Sequence, residues 1–471
     1  MAIPAEMAFA SIRKLGSALR DKQFTSVELT EFFLGRLETI GAKLNAVVTL
    51  TRERALAEAA QADRDFAAGT DRGPLHGIPY GAKDLLATRG IPTTWGAAPF
   101  RERVIDEDAT VIARLRDAGA VLAAKLAMVE IAGGMGYKQA NAAFTGPGLN
   151  PWDTKSWSGG SSSGSGSAVG AGLVPFAIGS ETSGSIVTPA GYCGVTGLKP
   201  TYGRVSRHGA MALSWTLDKL GPLCRTADDC GLVLGAIAGP DPADDTAVDQ
   251  TWRYPPDRAP EKPFKLAVLR EPVRKVQPAV QDNFDAALKV LEGFATFQEI
   301  ALPEFPYSTV VSTIIACEMA AAFEGMLTSG AVWELTAPED RVGAHAAMLI
   351  PAKDYINAFR IRRLIQKALD ETLAGFDAVV IPTLSTVAPP IDREFHAAFE
   401  GNFRGSGLGV AANAAGIPAI TVPNGFGERG LPTALAFIGR AFDEQRLIAV
   451  ATAYQTVTSW HDRRPALSEI E

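Results

Sequence analysis

The side chains best placed to do chemistry in this chain are serine hydroxyls. They crowd into Gly159-Gly160-Ser161-Ser162-Ser163-Gly164-Ser165-Gly166-Ser167 and again into Thr182-Ser183-Gly184-Ser185, and from Ser156 to Leu198 the only charged side chain is Glu181. A flexible Gly/Ser linker has a similar composition. This stretch, however, continues into Leu173-Val174-Pro175-Phe176-Ala177-Ile178 and Ile186-Val187, which favours a packed core built around hydroxyls. A serine attacks a carbonyl efficiently only when a base takes its proton. Five histidines are available for a Ser-His-Asp triad, His76, His208, His345, His396 and His461, but the context of each fits a surface or structural histidine better. Gly160-Ser161-Ser162-Ser163-Gly164 matches the GxSxG elbow formally, yet an elbow needs an apolar strand directly before it, and Asp153-Thr154-Lys155-Ser156-Trp157-Ser158 is not one. Phosphate loops fail as well: no GxxxxGK followed by Ser or Thr is present, and Gly164-Ser165-Gly166 lacks the third glycine of GxGxxG. A lysine base remains. Lys83 closes the short apolar run Leu75-His76-Gly77-Ile78-Pro79-Tyr80-Gly81-Ala82, and taken alone it reads as a surface lysine.

Taken together, Lys83 and the two serine clusters resemble the amidase signature family of serine hydrolases. The likeness is close from about Gly73 to Asp229. It covers Gly77-Ile78-Pro79 with Lys83-Asp84, the Gly-Gly-Ser-Ser tract, the Gly184-Ser185-Ile186 loop and Gly197-Leu198-Lys199-Pro200-Thr201-Tyr202-Gly203-Arg204-Val205-Ser206, and is weaker in Ala415-Gly416-Ile417-Pro418-Ala419-Ile420 and Phe437-Ile438-Gly439. The resemblance implies a Ser-cisSer-Lys triad: Ser185 as nucleophile, Ser161 as the serine after a cis peptide bond, and Lys83 as base. It also implies an oxyanion hole from the backbone N–H groups of Thr182, Ser183, Gly184 and Ser185, with no cofactor and no metal. A lysine base must be neutral, so its pKa has to fall from about 10.4 to near 7, a shift that burial in a charge-poor region supplies. Two positions depart from the family pattern. Ser183 replaces a glycine, and Val187 replaces an arginine, leaving Glu181 without that partner.

The family includes aryl, alkyl and peptide amidases, carbamate hydrolases, fatty acid amide hydrolases and the glutaminase subunit of a tRNA-dependent amidotransferase, and the triad does not choose between them. Met128, Val129, Ile131, Met135, Tyr137 and Phe144 stand where the family lines its acyl pocket, and they read equally well as core. As a pocket they would suit a small neutral aryl or alkyl amide, with carbamates (urethanes) and esters reached by the same chemistry. The alternative is the glutaminase subunit, against which stands Gly405-Ser406-Gly407-Leu408-Gly409 before Asn413, where an acidic residue would be expected. A catalytically dead binding protein is the third option, disfavoured because all three triad positions are filled.

The elements that must hold these residues alternate helix and strand. Thr25-Ser26-Val27-Glu28 is a capping box, with Phe24 and Leu29 as its staple, opening an amphipathic helix through Leu29, Phe33, Leu37 and Ile40, so that about 1–65 reads as a helical region. Helices follow over 110–118, 165–172 and 280–294. Strands follow over 120–124, 173–178, 265–269, 378–381, 419–422 and 434–438. The pattern predicts an α/β protein, a central mixed β-sheet covered on both faces by helices. About 306–376 reads as a helical insertion, with helices over 312–327 and 353–373, a candidate wall or lid. Asp241-Pro242-Ala243-Asp244-Asp245 with Pro255-Pro256-Asp257-Arg258-Ala259-Pro260 is the best boundary-like segment, and a surface loop explains it equally, so 1–471 is read as a single domain.

Bulk composition narrows the partners. With 471 residues, 47% hydrophobic and 21% charged, core size is not limiting. A formal net charge of −7 with no basic cluster argues against nucleic acid and anionic membranes. Cys193, Cys224, Cys230 and Cys317 have no zinc-site spacing, and the N-terminus lacks the order of a secretory signal. No membrane segment is read, and a reducing cytoplasm is the expected compartment. The expected partner is a small amide or carbamate substrate, and a homodimer stays open as the assembly.

Overall fold

The computed structural model describes residues 3–250, 252–255, 263–269, 276–399 and 407–467. Eleven strands among them form one sheet, in the spatial order Val47–Leu50, Val121–Leu126, Pro79–Lys83, Phe176–Glu181, Lys219–Cys224, Thr196–Lys199, Ala419–Phe426, Pro432–Ile438, Ala378–Pro382, Phe264–Leu269 and Ala295–Ile300. Pro79–Lys83 runs parallel to both of its neighbours, and Phe264–Leu269 likewise, whereas the strands between them pair antiparallel. The sheet is mixed, as the pattern predicts, and helices flank it.

Period-2 alternation explains why the central strands carry few polar residues. Along Phe176–Glu181, Phe176 and Ile178 enter one core cluster while Ala177 enters a second on the other face. Farther along the sheet Ile420, Val422, Leu435, Phe437, Val380 and Leu266 join the first cluster, and Ala419, Ala436, Ile438, Val379, Ile381 and Ala267 a third. One core therefore spans one face, and two cores share the other.

The capping box forms as read: Thr25 Oγ1 accepts from Glu28 N at 3.1 Å, and Glu28 Oε2 accepts from Thr25 N at 2.8 Å, starting the helix Ser26–Arg36. The N-terminal region is not wholly helical. Val47–Leu50 forms an edge strand antiparallel to Val121–Leu126, as two valines and a threonine on a half-buried edge favour. The strand expected over 173–178 starts at Phe176, beyond Pro175, which cannot donate to a ladder. The helix expected over 312–327 is two helices, Tyr307–Ala322 and Glu324–Ser329, separated at Phe323. Asp153–Trp157 is a strand after all, paired with Leu149–Asn150 outside the main sheet, and its Asp153 and Lys155 keep it from being the apolar strand of an elbow. In the boundary-like segment, Asp241 Oδ2 accepts from Thr110 Oγ1 and Ser206 Oγ, both at 2.5 Å, which ties that part down as a surface loop. Residues 256–260 of the same reading lie outside the described residues.

Candidate active site

The parallel register of Pro79–Lys83 on Phe176–Glu181, with Tyr80 opposite Phe176 and Ala82 opposite Ile178, carries Lys83 to the end of the strand that bears Ser180. Lys83 Nζ lies 2.9 Å from Ser180 Oγ and 2.7 Å from Ser161 Oγ. All three residues are buried, Lys83 completely. Ser161 follows a cis peptide bond from Gly160. A side chain at position 160 has no space, since a Cβ there would sit 2.7 Å from both Trp157 Cζ2 and Val129 Cγ2. Ser162 N donates to Ser185 C=O at 3.3 Å, so the two serine clusters are joined backbone to backbone. Ser185 is 9% exposed, the most open of the three hydroxyl and amine groups singled out by the sequence. Gly184 before it has a φ of 94°, a conformation that costs glycine little.

In the loop ahead of Ser185, the N–H groups of Ile186 and Val187 are held by Glu181 Oε2 at 2.9 and 3.1 Å. Those of Ser183, Gly184 and Ser185 have no acceptor among the described residues. They are free to meet a developing negative charge.

Electrostatics follow from burial. Desolvation lowers the Lys83 pKa from 10.5 to about 7, against the opposing fields of Asp218 and Glu181. Asp218 accepts from Thr182 Oγ1 at 2.5 Å and from Leu213 N and Ser214 N at 2.8 and 2.9 Å, yet burial still raises its pKa. For Glu181 burial pushes upward as well, but Lys199, Lys219 and the two N–H groups outweigh it and the pKa is lowered. Where Val187 withholds an arginine, the fields of two lysines from other strands act on Glu181 instead. Lys199 and Lys219 both donate to Asn413 Oδ1, at 3.3 and 3.0 Å.

Sequence reasoning did not single out Ser180, Asp218 or Lys219, and did not give Lys199 or Asn413 a role in the site. The available signal was two adjacent charges set between apolar residues, as in Leu217-Asp218-Lys219-Leu220-Gly221-Pro222, which a core admits only when the charges meet partners.

Two cavities flank the loop. One, of about 250 Å³, is lined by Ser180, Thr182 and Asp218 together with Met211 and Leu213. The other, of about 680 Å³, is lined by Glu181, Ser183, Gly184, Val187, Lys199 and Asn413 and by Ile381, Leu384 and Val410. The residues expected along an acyl pocket line neither. Met128, Ile131 and Met135 pack in the first core and Val129 against Trp157 and Tyr192. Tyr137 meets Trp157 and Phe395 edge-on, and Phe144 lies under the Arg101 guanidinium. Their segment backs the serine tract instead, through Val129 N donating to Ser161 C=O at 3.0 Å. Among the described residues no group of His, Cys, Asp and Glu is arranged to hold a metal ion, and no helix is long and apolar enough to cross a membrane.

The family model for Amidase matches residues 28–448. Among curated relatives, a Glutamyl-tRNA(Gln) amidotransferase subunit of Roseiflexus sp. (strain RS-1) is 38% identical over 482 residues, spanning 96% of each chain. Among solved structures, the native peptide amidase from Stenotrophomonas maltophilia is 32% identical with a TM-score of 0.84, covering 96% of this chain and 98% of its own. The corresponding Glutamyl-tRNA(Gln) amidotransferase subunit from Thermotoga maritima is 27% identical with a TM-score of 0.79, covering 97% of each chain.

Proposed function

This chain belongs to the amidase family and is an amide C–N hydrolase, and from that premise we propose that it works through a serine acyl-enzyme with Ser185 as nucleophile, Ser161 as relay and Lys83 as base. The observation that carries the reading is the 2.7 Å contact between a fully buried Lys83 amine and Ser161 Oγ. A neutral amine has two N–H donors and one lone pair. Donating to Ser180 Oγ turns that lone pair toward Ser161, whose proton it accepts as Ser161 takes one from Ser185. Ser185 Oγ then adds to the amide carbonyl, and the oxyanion is met by the backbone N–H groups of the loop Thr182, Ser183, Gly184 and Ser185. The relay run backwards protonates the leaving nitrogen, and water admitted to the same site releases the acid.

For the substrate, we propose a small neutral amide. The support is the 680 Å³ cavity beginning at Ser183 and Gly184, whose walls join Val187, Ile381, Leu384 and Val410 to Glu181, Lys199 and Asn413. The same addition step would serve carbamates and esters. A second reading, glutamine hydrolysis within a multi-subunit amidotransferase, is favoured by the curated relatives, which are named for one component of that enzyme and match over nearly their whole length. By likeness the second reading has the greater weight. We further propose that 1–471 is one domain in which the helical segment 306–376, reaching the cavity through Ser308, is a wall of the site. The deciding experiment measures release of ammonia or amine from an anilide, an aliphatic amide, a carbamate and glutamine by the purified chain and by Ser185→Ala. Turnover of the neutral amides with glutamine inert supports the first reading. Turnover of glutamine alone supports the second, and equal rates with Ser185→Ala would refute both.

A further inference from the structure

The loop that carries the proposed oxyanion hole has little of its own to hold it. Ser183 is exposed, and Gly184 is half-buried with a φ of 94°, so no packed side chain fixes the backbone between Thr182 and Ser185. The far end of the loop is tied by Glu181, through the N–H groups of Ile186 and Val187. The near end is Thr182. The antiparallel register of Phe176–Glu181 on Lys219–Cys224 sets Glu181 opposite Lys219, so that one step beyond the ladder Thr182 meets Asp218. Asp218 Oδ1 accepts from Thr182 Oγ1 at 2.5 Å, while Lys219 Nζ donates to Thr182 C=O at 3.1 Å. Two adjacent residues thus hold one threonine by its hydroxyl and by its carbonyl. A peptide unit is planar and trans, so fixing the Thr182 C=O also fixes the direction of the Ser183 N–H across the same plane. That N–H is the first of the three that meet no acceptor among the described residues.

Asp218 is itself anchored. Its Oδ2 accepts from Leu213 N and Ser214 N at 2.8 and 2.9 Å, and Ser214 Oγ donates in turn to Glu318 on the helix Tyr307–Ala322. Asp218 is 8% exposed and Lys219 2%. Burying a carboxylate and an ammonium costs desolvation that apolar side chains of like volume avoid. What an apolar pair cannot do is set the direction of a peptide. We propose that Asp218 and Lys219 are positioning residues: they clamp Thr182 and so aim the Ser183 N–H, with those of Gly184 and Ser185 behind it, at the oxygen of the tetrahedral intermediate. The clamp rests on the serine amidase reading above, and it serves a neutral amide and glutamine alike, since both pass through the same oxyanion. Because the donors meet charge that develops only in the transition state, losing the clamp lowers kcat and leaves KM nearly alone.

Thr182→Val keeps the shape and removes the hydroxyl, Thr182→Ser keeps the hydroxyl, and Lys219→Met removes the bond to the carbonyl. Each is assayed with 4-nitroacetanilide and with glutamine beside the wild type and Ser185→Ala. Urea unfolding gives the folded fraction in buffer, to which every kcat is referred, so that loss of fold does not count as loss of the clamp. Thr182→Val should lower kcat by about 10–100-fold with KM within about threefold, the scale of a donor moved off target rather than deleted. Thr182→Ser should regain most of that loss, and Lys219→Met should lower kcat in the same sense as Thr182→Val. A Thr182→Val kcat within about threefold of wild type would overturn the clamp and leave the amidase reading intact. So would a Thr182→Ser protein as slow as Thr182→Val, or a Lys219→Met protein that changes KM alone. No turnover of either substrate, or equal rates in wild type and Ser185→Ala, would remove the serine reading and the clamp with it.

Discussion

Replacing Lys83 by methionine should make the protein more stable and inactive at once. The fall of the Lys83 pKa from 10.5 to about 7 corresponds, at 1.36 kcal/mol per pH unit, to about 5 kcal/mol disfavouring the charged amine in the folded state. The group is fully buried, so no solvent screening reduces this figure. The sign follows from proton linkage. The unfolded chain holds the Lys83 proton up to about pH 10.5 and the folded chain only to about 7, so wild-type stability rises between those values and the cost is complete below them. Methionine matches the stem and removes the amine, losing hydrogen bonds to Ser161 and Ser180 worth about 1–2 kcal/mol together. A net gain of about 3 kcal/mol is expected at pH 6, shrinking steadily and vanishing near pH 10. Urea unfolding of both proteins at pH 6, 8 and 10 measures it, alongside amide turnover. In the wild type, kcat/KM should rise tenfold per pH unit up to a plateau above about pH 7. A Lys83→Met protein that is less stable at pH 6, a gain that does not shrink with pH, or an activity limb near pH 10 would refute the reasoning.

Ser185→Ala should reduce amide turnover to background, and Ser161→Ala should lower kcat by about 10²–10⁴-fold with little change in KM, as loss of a proton relay does. Ser180→Ala removes an acceptor that serves the ammonium better than the amine, so the acidic limb of its pH profile should shift to lower pH by about half a unit; a shift upward would contradict the placement. Gly160→Ala drives a methyl into Val129 and Trp157 and should cost about 1–3 kcal/mol of stability, read by thermal unfolding. Asp340 is 1% exposed, and burial together with the charges of Glu130 and Glu339 raises its pKa to about 8. A raised carboxyl pKa stabilises below the unfolded value and loses that contribution as pH climbs through the folded one, so stability should decline between about pH 4 and 8, and Asp340→Asn should flatten the decline.

Much of the fold was legible because burial leaves a periodic trace. The capping box at Thr25 and Glu28 and the apolar runs at 265–269, 378–381 and 434–438 lie within a residue or two of the observed elements. Val47–Leu50 was absorbed into a helical region because four residues on an edge strand have too short a period to outweigh their helical neighbours. In the site, Lys83 Nζ and Ser161 Oγ, named through the family resemblance, lie 2.7 Å apart. Val129 and Met135, assigned to a pocket by position, pack elsewhere, because an apolar residue near a reactive serine carries the same signature whether it faces ligand or core.

The sequence alone determined the chemical inventory: two serine clusters and one lysine in a region nearly free of charge, set in alternating helix and strand. Only the tertiary structure decided which charges this inventory lives among. Glu181 feels the fields of Lys199 and Lys219, which stand on strands joined across the sheet, and Lys83 feels Asp218 through space. Coulomb forces and desolvation depend on distance and depth, and neither is written in the order of residues along the chain.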